Sequence, residues 1–269
     1  MKRILALVAK DFAELRQSPG IFVPALLTGV GAIVYPFVIV VIIPAVTGER
    51  LSDSSDFEIA ELFNRTEPAV RGLSAEGAIQ AFVFQQALAL LVGITTVTGG
   101  MSVAAHSVIG EKQARTLEPL LATPLRTGEL LAAKVIGAAV PGVVLTILCF
   151  VAYVVLIAIF AEPRVWTALL TPRSLGLVFL IGPLAALLGL QLAVCASSRV
   201  NDPRSAQQLG AIVLIIPVGV LQVAQFAGGV VLTVPILMAI GAVLAAGNLV
   251  VLRAAVSLFD RESILIRWK

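Results

Sequence analysis

Charge is scarce in this chain: Asp, Glu, Lys and Arg make up 13% of its 269 residues, about half of the roughly 25% found in an ordinary globular protein. Histidine occurs once and cysteine twice, which leaves no room for a disulfide framework or a multi-histidine metal centre. A formal net charge of +3 is too weak to bind nucleic acid through phosphates. What fills the chain instead is apolar. Hydrophobic residues are 59% and mean hydropathy is +1.02, a balance that excludes a soluble domain and points to an all-α integral membrane protein.

The few charges divide the chain. Uncharged intervals run over Gln17–Gly48, Gly77–Gly110, Val135–Ala161, Ser174–Ser198 and Ser205–Leu252. A helix crosses the hydrocarbon core in about 20 residues, so the first four intervals each hold one crossing. The fifth is 48 residues long and carries Phe226-Ala227-Gly228-Gly229 near its middle, a turn signal that splits it in two. Six transmembrane helices are therefore predicted, over 21–46, 78–108, 130–160, 175–196, 207–225 and 230–252. Both termini then share a side. That side carries 14 Lys and Arg: Lys2, Arg3, Lys10, Arg16, Lys112, Arg115, Arg126, Lys134, Arg199, Arg204, Arg253, Arg261, Arg267 and Lys269. The opposite side carries five, Arg50, Arg65, Arg71, Arg164 and Arg173. The positive-inside rule makes both termini cytoplasmic. The loop over 49–76, with seven acids and three bases, is then external, and 253–269 is a cytoplasmic tail.

Residues 1–18 do not read as a cleaved signal, because Lys10 and Asp11 interrupt their apolar run and a full-length span follows. Ile4, Val8, Phe12 and Leu15 fall on one helical face, as in an amphipathic helix lying in the interface. A short basic anchor fits the same residues.

Apart from His106 and Lys134 at their inner ends, the spans contain no His, Asp, Glu, Lys or Arg, which argues against a secondary carrier or proton pump. They also contain no HExxH, GxSxG or paired aspartates, and no GxxxxGK[ST] loop occurs. If the chain does work, its energy comes from a partner. His106, near Glu111 at the inner end of the second span, is too isolated for a zinc site. Cys149 falls in the outer half of the third span and Cys195 near the inner end of the fourth, too far apart to bridge, and both read as apolar packing. Gln85 and Gln86 on the second span, with Gln222 and Gln225 on the fifth, would form an uncharged collar at an outer pore mouth if those helices face each other. Binding to headgroups or water is the alternative. Thr95, Thr96, Thr98, Gly99 and Gly100, and the prolines Pro36, Pro141, Pro183 and Pro217, mark places for kinks or close packing.

The most informative stretch is the second inner connection. Over 111–122 it reads as a short helix, with Leu117, Leu120 and Leu121 on one face and Lys112 and Arg115 toward the other. Pro124 stops it, and Thr127 and Glu129 suit the start of the next helix. Such a helix either docks a partner or rests on the membrane; the pattern leaves both open.

The segment from Glu111 to Lys134 resembles the cytoplasmic stretch of ABC-2 type transporter permeases. The shared elements, in order, are Glu111-Lys112, the core Thr116-Leu117-Glu118-Pro119-Leu120-Leu121, Thr123-Pro124, then Glu129 and Lys134. Arg115 stands where a glycine often precedes the core threonine. The start, Lys10 to Arg16 with Ser18-Pro19, is similar to that family's amphipathic connecting helix, and Leu258 to Leu265 to its cytoplasmic tail. The resemblance implies a coupling segment over 110–127, in which Glu111, Lys112, Arg115, Thr116, Leu117, Glu118, Leu120, Leu121 and Pro124 meet a cytoplasmic ABC ATPase subunit, expected in two copies. It also implies an exporter in the plasma membrane, built from this chain and a second permease chain, identical or related, with the second and fifth helices on the pore side. ATP and Mg would belong to the partner; no cofactor, metal or catalysis is expected of this chain. An ATP-driven scaffold that moves an external or accessory protein held by the 49–76 loop is the alternative.

Overall fold

Long apolar runs have no water in a bilayer to satisfy their backbones, so each must close its own hydrogen bonds as a helix. The computed structural model describes residues 19–51, 68–113, 127–197 and 232–258, with isolated positions at 208, 212, 216, 218–220 and 223. Among the described residues there are no strands, and five helices are long and apolar enough to cross a membrane.

The first, α1, begins as Pro19–Phe37, widens into a π-helical turn at Val38–Ile42 and closes as Ile43–Thr47. Gly48, at φ +74°, ends it by donating to Pro44 O, the left-handed C-terminal stop that glycine allows. Helix α2 is Ala75–Gln113 and α3 is Thr127–Phe160. A 3-10 helix, Val165–Leu169, leads to α4, which runs as Pro172–Gly176, a π-helical turn Leu177–Ile181, and Gly182–Ser197. The last helix, α5, is Val234–Leu258.

Helices α1 to α4 correspond to the first four predicted spans, and α5 to the sixth. The predicted fifth, 207–225, is represented only by the isolated helical positions. Residues 1–18, 52–67, 114–126 and 259–269 lie outside the described residues, so the amphipathic helix, most of the acidic loop, the coupling segment beyond Gln113 and most of the tail do too.

Both π turns end two residues before a proline. Ile43 N–H bonds to Val38 O ahead of Pro44, and Gly182 N–H bonds to Leu177 O ahead of Pro183, each reaching back five residues. A proline offers no N–H and its ring presses on the carbonyl four back; a turn widened by one residue makes room. Pro141 sits inside α3, which continues as α-helix through it.

Helix α2 occupies the centre. Its most apolar stretch is 78% buried, against at most 39% for any other spanning helix, and it packs against α1, α3, α4 and the 3-10 helix. The rings of Phe37, Phe84 and Tyr153 join α1, α2 and α3, with centroids 5.1 Å (Phe37–Phe84), 6.0 Å (Phe37–Tyr153) and 5.8 Å (Phe84–Tyr153) apart. Tyr153, fully buried, donates its hydroxyl to Phe84 O at 3.0 Å. A second junction lies three turns along α2. There a Cβ on Gly29 would stand 2.9 Å from Cys149 Sγ and 3.5 Å from Thr95 Cγ2, while Thr95 and Thr146 share a hydrogen bond of 3.3 Å. The opposite face of α3 presents Val140, Val144, Leu148, Val151, Val155 and Ile159 outward, a stripe at helical spacing suited to lipid.

These contacts fix directions. Gly29 with Thr95 and Phe37 with Phe84 make α1 antiparallel to α2, as Thr146 with Thr95 and Tyr153 with Phe84 make α3. Arg173 meets Gln85 and Gly182 meets Val92, so α4 is parallel to α2. Leu237 lies at Gly176 and Leu188 at Gly247, so α5 is parallel to α4.

Candidate translocation path and its polar residues

One group of buried polar side chains, Gln80, Gln85, Gln86, Thr171, Arg173 and Ser174, lies toward the end of the bundle that carries Ala75. There the chain leaves α3 at Phe160 and passes Arg164, the one described non-glycine residue with a positive φ (74°). It then folds back so that Val165, Ala168 and Leu169 are fully buried. A loop placed inside a bundle must find partners for its backbone, and α2 supplies them. Gln80 Oε1 accepts from Glu162 N–H at 2.9 Å, and Gln85 Nε2 donates to Ala168 O at 2.6 Å. Ser74 Oγ donates to the Glu162 carboxylate and accepts from Gly77 N–H at 2.9 Å.

The loop ends in a helix start. Thr171 caps α4 by accepting from Ser174 N–H at 3.3 Å, with Pro172 as the first helical residue, the preferred order of cap and proline. This puts Arg173 in the first turn, 7% exposed, where its guanidinium donates to Gln85 Oε1 at 2.9 Å. Gln85 thus uses both ends of its amide, one for α4 and one for the loop. A guanidinium removed from water needs acceptors for its fixed fork of donors, and Gln85 is one of them.

One turn further round, α2 meets the region of the predicted fifth span. A Cβ on Gly93 would stand 3.2 Å from Val218 Cγ1. Gln86, seven residues before Gly93, shares its face, whereas Gln85 is turned away by about 80°. The two adjacent glutamines therefore have different neighbours, although both are buried. Thr95 and Thr96 direct their hydroxyls to the carbonyls of Leu91 and Val92 on their own helix.

A further polar pair joins α4 to α5. Gln191 Nε2 donates to Asn248 Oδ1 at 3.2 Å, and Asn248 Nδ2 donates to Leu184 O at 3.0 Å and Leu244 O at 2.8 Å. Amides inside a membrane bundle hold helices together in this way. Gln191 Oε1 is buried with no hydrogen-bond partner among the described residues.

The family model of the ABC-2 family transporter proteins matches residues 5–239. The chain belongs to the ABC-2 transporter family. No curated protein and no solved structure gives a significant match. Membership makes the chain a multi-pass membrane component of an ABC-type transporter, which works with an ABC ATPase subunit.

Of the residues that the sequence assigns to this ABC-2 protein's function, Gln85 and Gln86 lie together on α2, while Gln222 and Gln225 lie outside the described residues. The helix continues through Glu111 and Lys112 to Gln113, beyond the predicted end of the span at 108. The side chains of His106, Glu111 and Lys112 lie outside the described residues, as do Arg115, Thr116, Leu117, Glu118, Leu120, Leu121 and Pro124. No disulfide joins Cys149 to Cys195, and among the described residues no group of His, Cys, Asp or Glu could hold a metal ion.

Three features of this transporter component were not read from its sequence. The charge of Arg173 puts it in a loop before a span predicted from 175, whereas Thr171-Pro172 followed by Ser174 is a helix start that draws it into α4. Asn248 and Gln191 are isolated amides in apolar runs, a signal for an interhelical bond. Nothing local marks Gly93 as the meeting point with Val218.

Proposed function

We propose that the chain is the permease subunit of an ABC-2 type exporter, which lines the translocation path and receives motion from a separate ATPase subunit. The observation that carries this reading is the family match over 5–239, which includes the Glu111–Lys134 stretch. That stretch begins on the last turn of α2, the central helix. A force applied there enters the element that touches most of the bundle.

The six-span topology draws support from direction. Helices α2 and α4 are parallel, and α3 crosses between them; α4 and α5 are also parallel, so the 198–231 connection requires its own crossing. The run 207–225 has the length and composition for it. The Gly93–Val218 approach supports the second and fifth spans as neighbours on the pore side. Gln86 lies seven residues before Gly93, and Gln222 and Gln225 lie four and seven residues after Val218 in the sequence, a spacing that keeps these glutamines as candidates for the outer mouth. In this reading the Ala75 end is external and both termini are cytoplasmic. Two copies of the chain, or this chain and a related one, join two ATPase subunits.

The expected outcome is co-purification from membranes with a soluble subunit bearing a Walker A loop, weakened by Glu118→Lys or Leu120→Glu. In proteoliposomes the complex should move substrate with ATP, and the same variants should lower transport per ATP hydrolysed. A chain recovered alone after cross-linking in cells would overturn the proposal. Hydrolysis without movement of any candidate molecule would favour the scaffold acting through the acidic 49–76 loop.

A further inference from the structure

The loop over 161–171 is held in an unusual manner for a surface connection. Four of its residues are buried, Val165, Ala168, Leu169 and Thr171, and besides its own turn bonds it is anchored by neighbours: Ser74 and Gln80 at its start, Gln85 in its middle, and Arg173 behind Gln85. The chain enters it through Arg164 in the left-handed region, a conformation that a non-glycine residue keeps only while surrounding contacts enforce it. The helix turn that carries Arg173 is separated from the rest of α4 by the π turn at Leu177–Ile181. A π turn stores one residue more than an α turn, and short π segments are places where a helix changes register. Closing this one into α geometry rotates Pro172–Gly176 by about 100° against Gly182–Ser197. Arg173 then leaves the side of α4 that faces Gln85.

We propose that the 161–171 loop is a releasable latch over the Ala75 end of the bundle, locked by the Ala168–Gln85–Arg173 hydrogen-bond chain and freed when the α4 π turn converts to α-helix. Locked, the loop fills the space between α2, α3 and α4 at that end. Released, it exposes that space to water. Gln85 is the positioning residue of the lock, and Pro183 sustains the π turn because its ring would press on the carbonyl of Phe179, four residues back, if the turn closed to α geometry. The proposal concerns this chain alone and stands or falls independently of the ATPase partner and of the orientation in the membrane.

The test reads water access to the loop. Val165→Cys, in a Cys149→Ala, Cys195→Ala background of the full chain, is placed in lipid nanodiscs, where both faces meet solvent, and reacted with a membrane-impermeant maleimide. Because reaction requires local opening, its rate tracks the open population. Gln85→Leu and Pro183→Ala should each raise that rate about tenfold, the scale of losing one or two buried hydrogen bonds. Combined, they should raise it no further than the stronger single change, since both act on one event. Rates within about twofold of the parent for either variant, in protein monodisperse by size exclusion, would overturn the latch. So would effects that multiply in the double variant. If Gln85→Leu does not fold, Arg173→Met removes the same lock from the α4 side and carries the same expectation.

Discussion

Tyr153 offers a direct measure of what holds α1, α2 and α3 together. It is fully buried, its hydroxyl bonds Phe84 O at 3.0 Å, and its ring meets Phe37 and Phe84 nearly edge-on, at 86° and 79°. The two parts separate by substitution. Tyr153→Phe removes only the hydroxyl, and the Phe84 carbonyl keeps its place in the α2 ladder, so the loss should be about 0.6 kcal/mol and no more than about 1.5 kcal/mol. Tyr153→Ala removes the ring and leaves a cavity among side chains from three helices, which costs about 3–5 kcal/mol. Each edge-to-face pair accounts for about 0.5–1.5 kcal/mol of that. Reversible unfolding in bicelles, read by steric trapping, measures both. In a Phe84→Ala background the cost of Tyr153→Ala should shrink by about the value of one aromatic pair. The reasoning fails if Tyr153→Phe costs as much as Tyr153→Ala, or if Tyr153→Ala costs less than about 1 kcal/mol.

Two further expectations concern helix contacts. Gly29→Val should destabilise by about 1–3 kcal/mol through overpacking, because its Cβ would meet Cys149 Sγ at 2.9 Å; Cys149→Ala should recover a large part of that in the same unfolding assay, and no recovery would place the strain elsewhere. Asn248→Ala and Gln191→Ala should each cost about 0.6–1.7 kcal/mol and be coupled in a double-mutant cycle; strictly additive effects would remove their hydrogen bond from the energetics of the α4–α5 contact.

The spans were legible because charge is expelled from hydrocarbon, so its positions outline α1 through α4 and α5 from the sequence alone. Helix ends were less so. Charge marks where lipid stops, not where hydrogen bonding stops: α2 continues past residue 108 to Gln113, and α4 starts at Pro172 with a buried arginine in its first turn. Pro141 and Pro183 were visible as disturbances, yet Pro183 widens a turn, as does Pro44, which the sequence did not single out, and Pro141 does not. A proline sets the local demand, and the neighbouring helices decide how it is met. The site was legible in part. Gln85 and Gln86 stood out as a pair of amides in an apolar run, but their burial and their separation into two environments depend on which helices flank α2, and the sequence does not encode that locally. Arg173 shows the same limit from the other side: its charge marked it as a loop residue, and only the loop's return into the bundle encloses it.

The length of α2 turns its central position into leverage. Its 39 residues make a rod of about 58 Å, gripped near its middle where Gly29, Cys149 and Thr146 close around Thr95. A tilt of about 5° about that fulcrum hardly moves Thr95, but it sweeps Gln80 sideways by about 2 Å, further than a hydrogen bond tolerates. The end at Gln113 swings by a similar amount in the opposite sense. A small push at one tip of this shaft is thus delivered at the other tip, where the glutamines hold the loop.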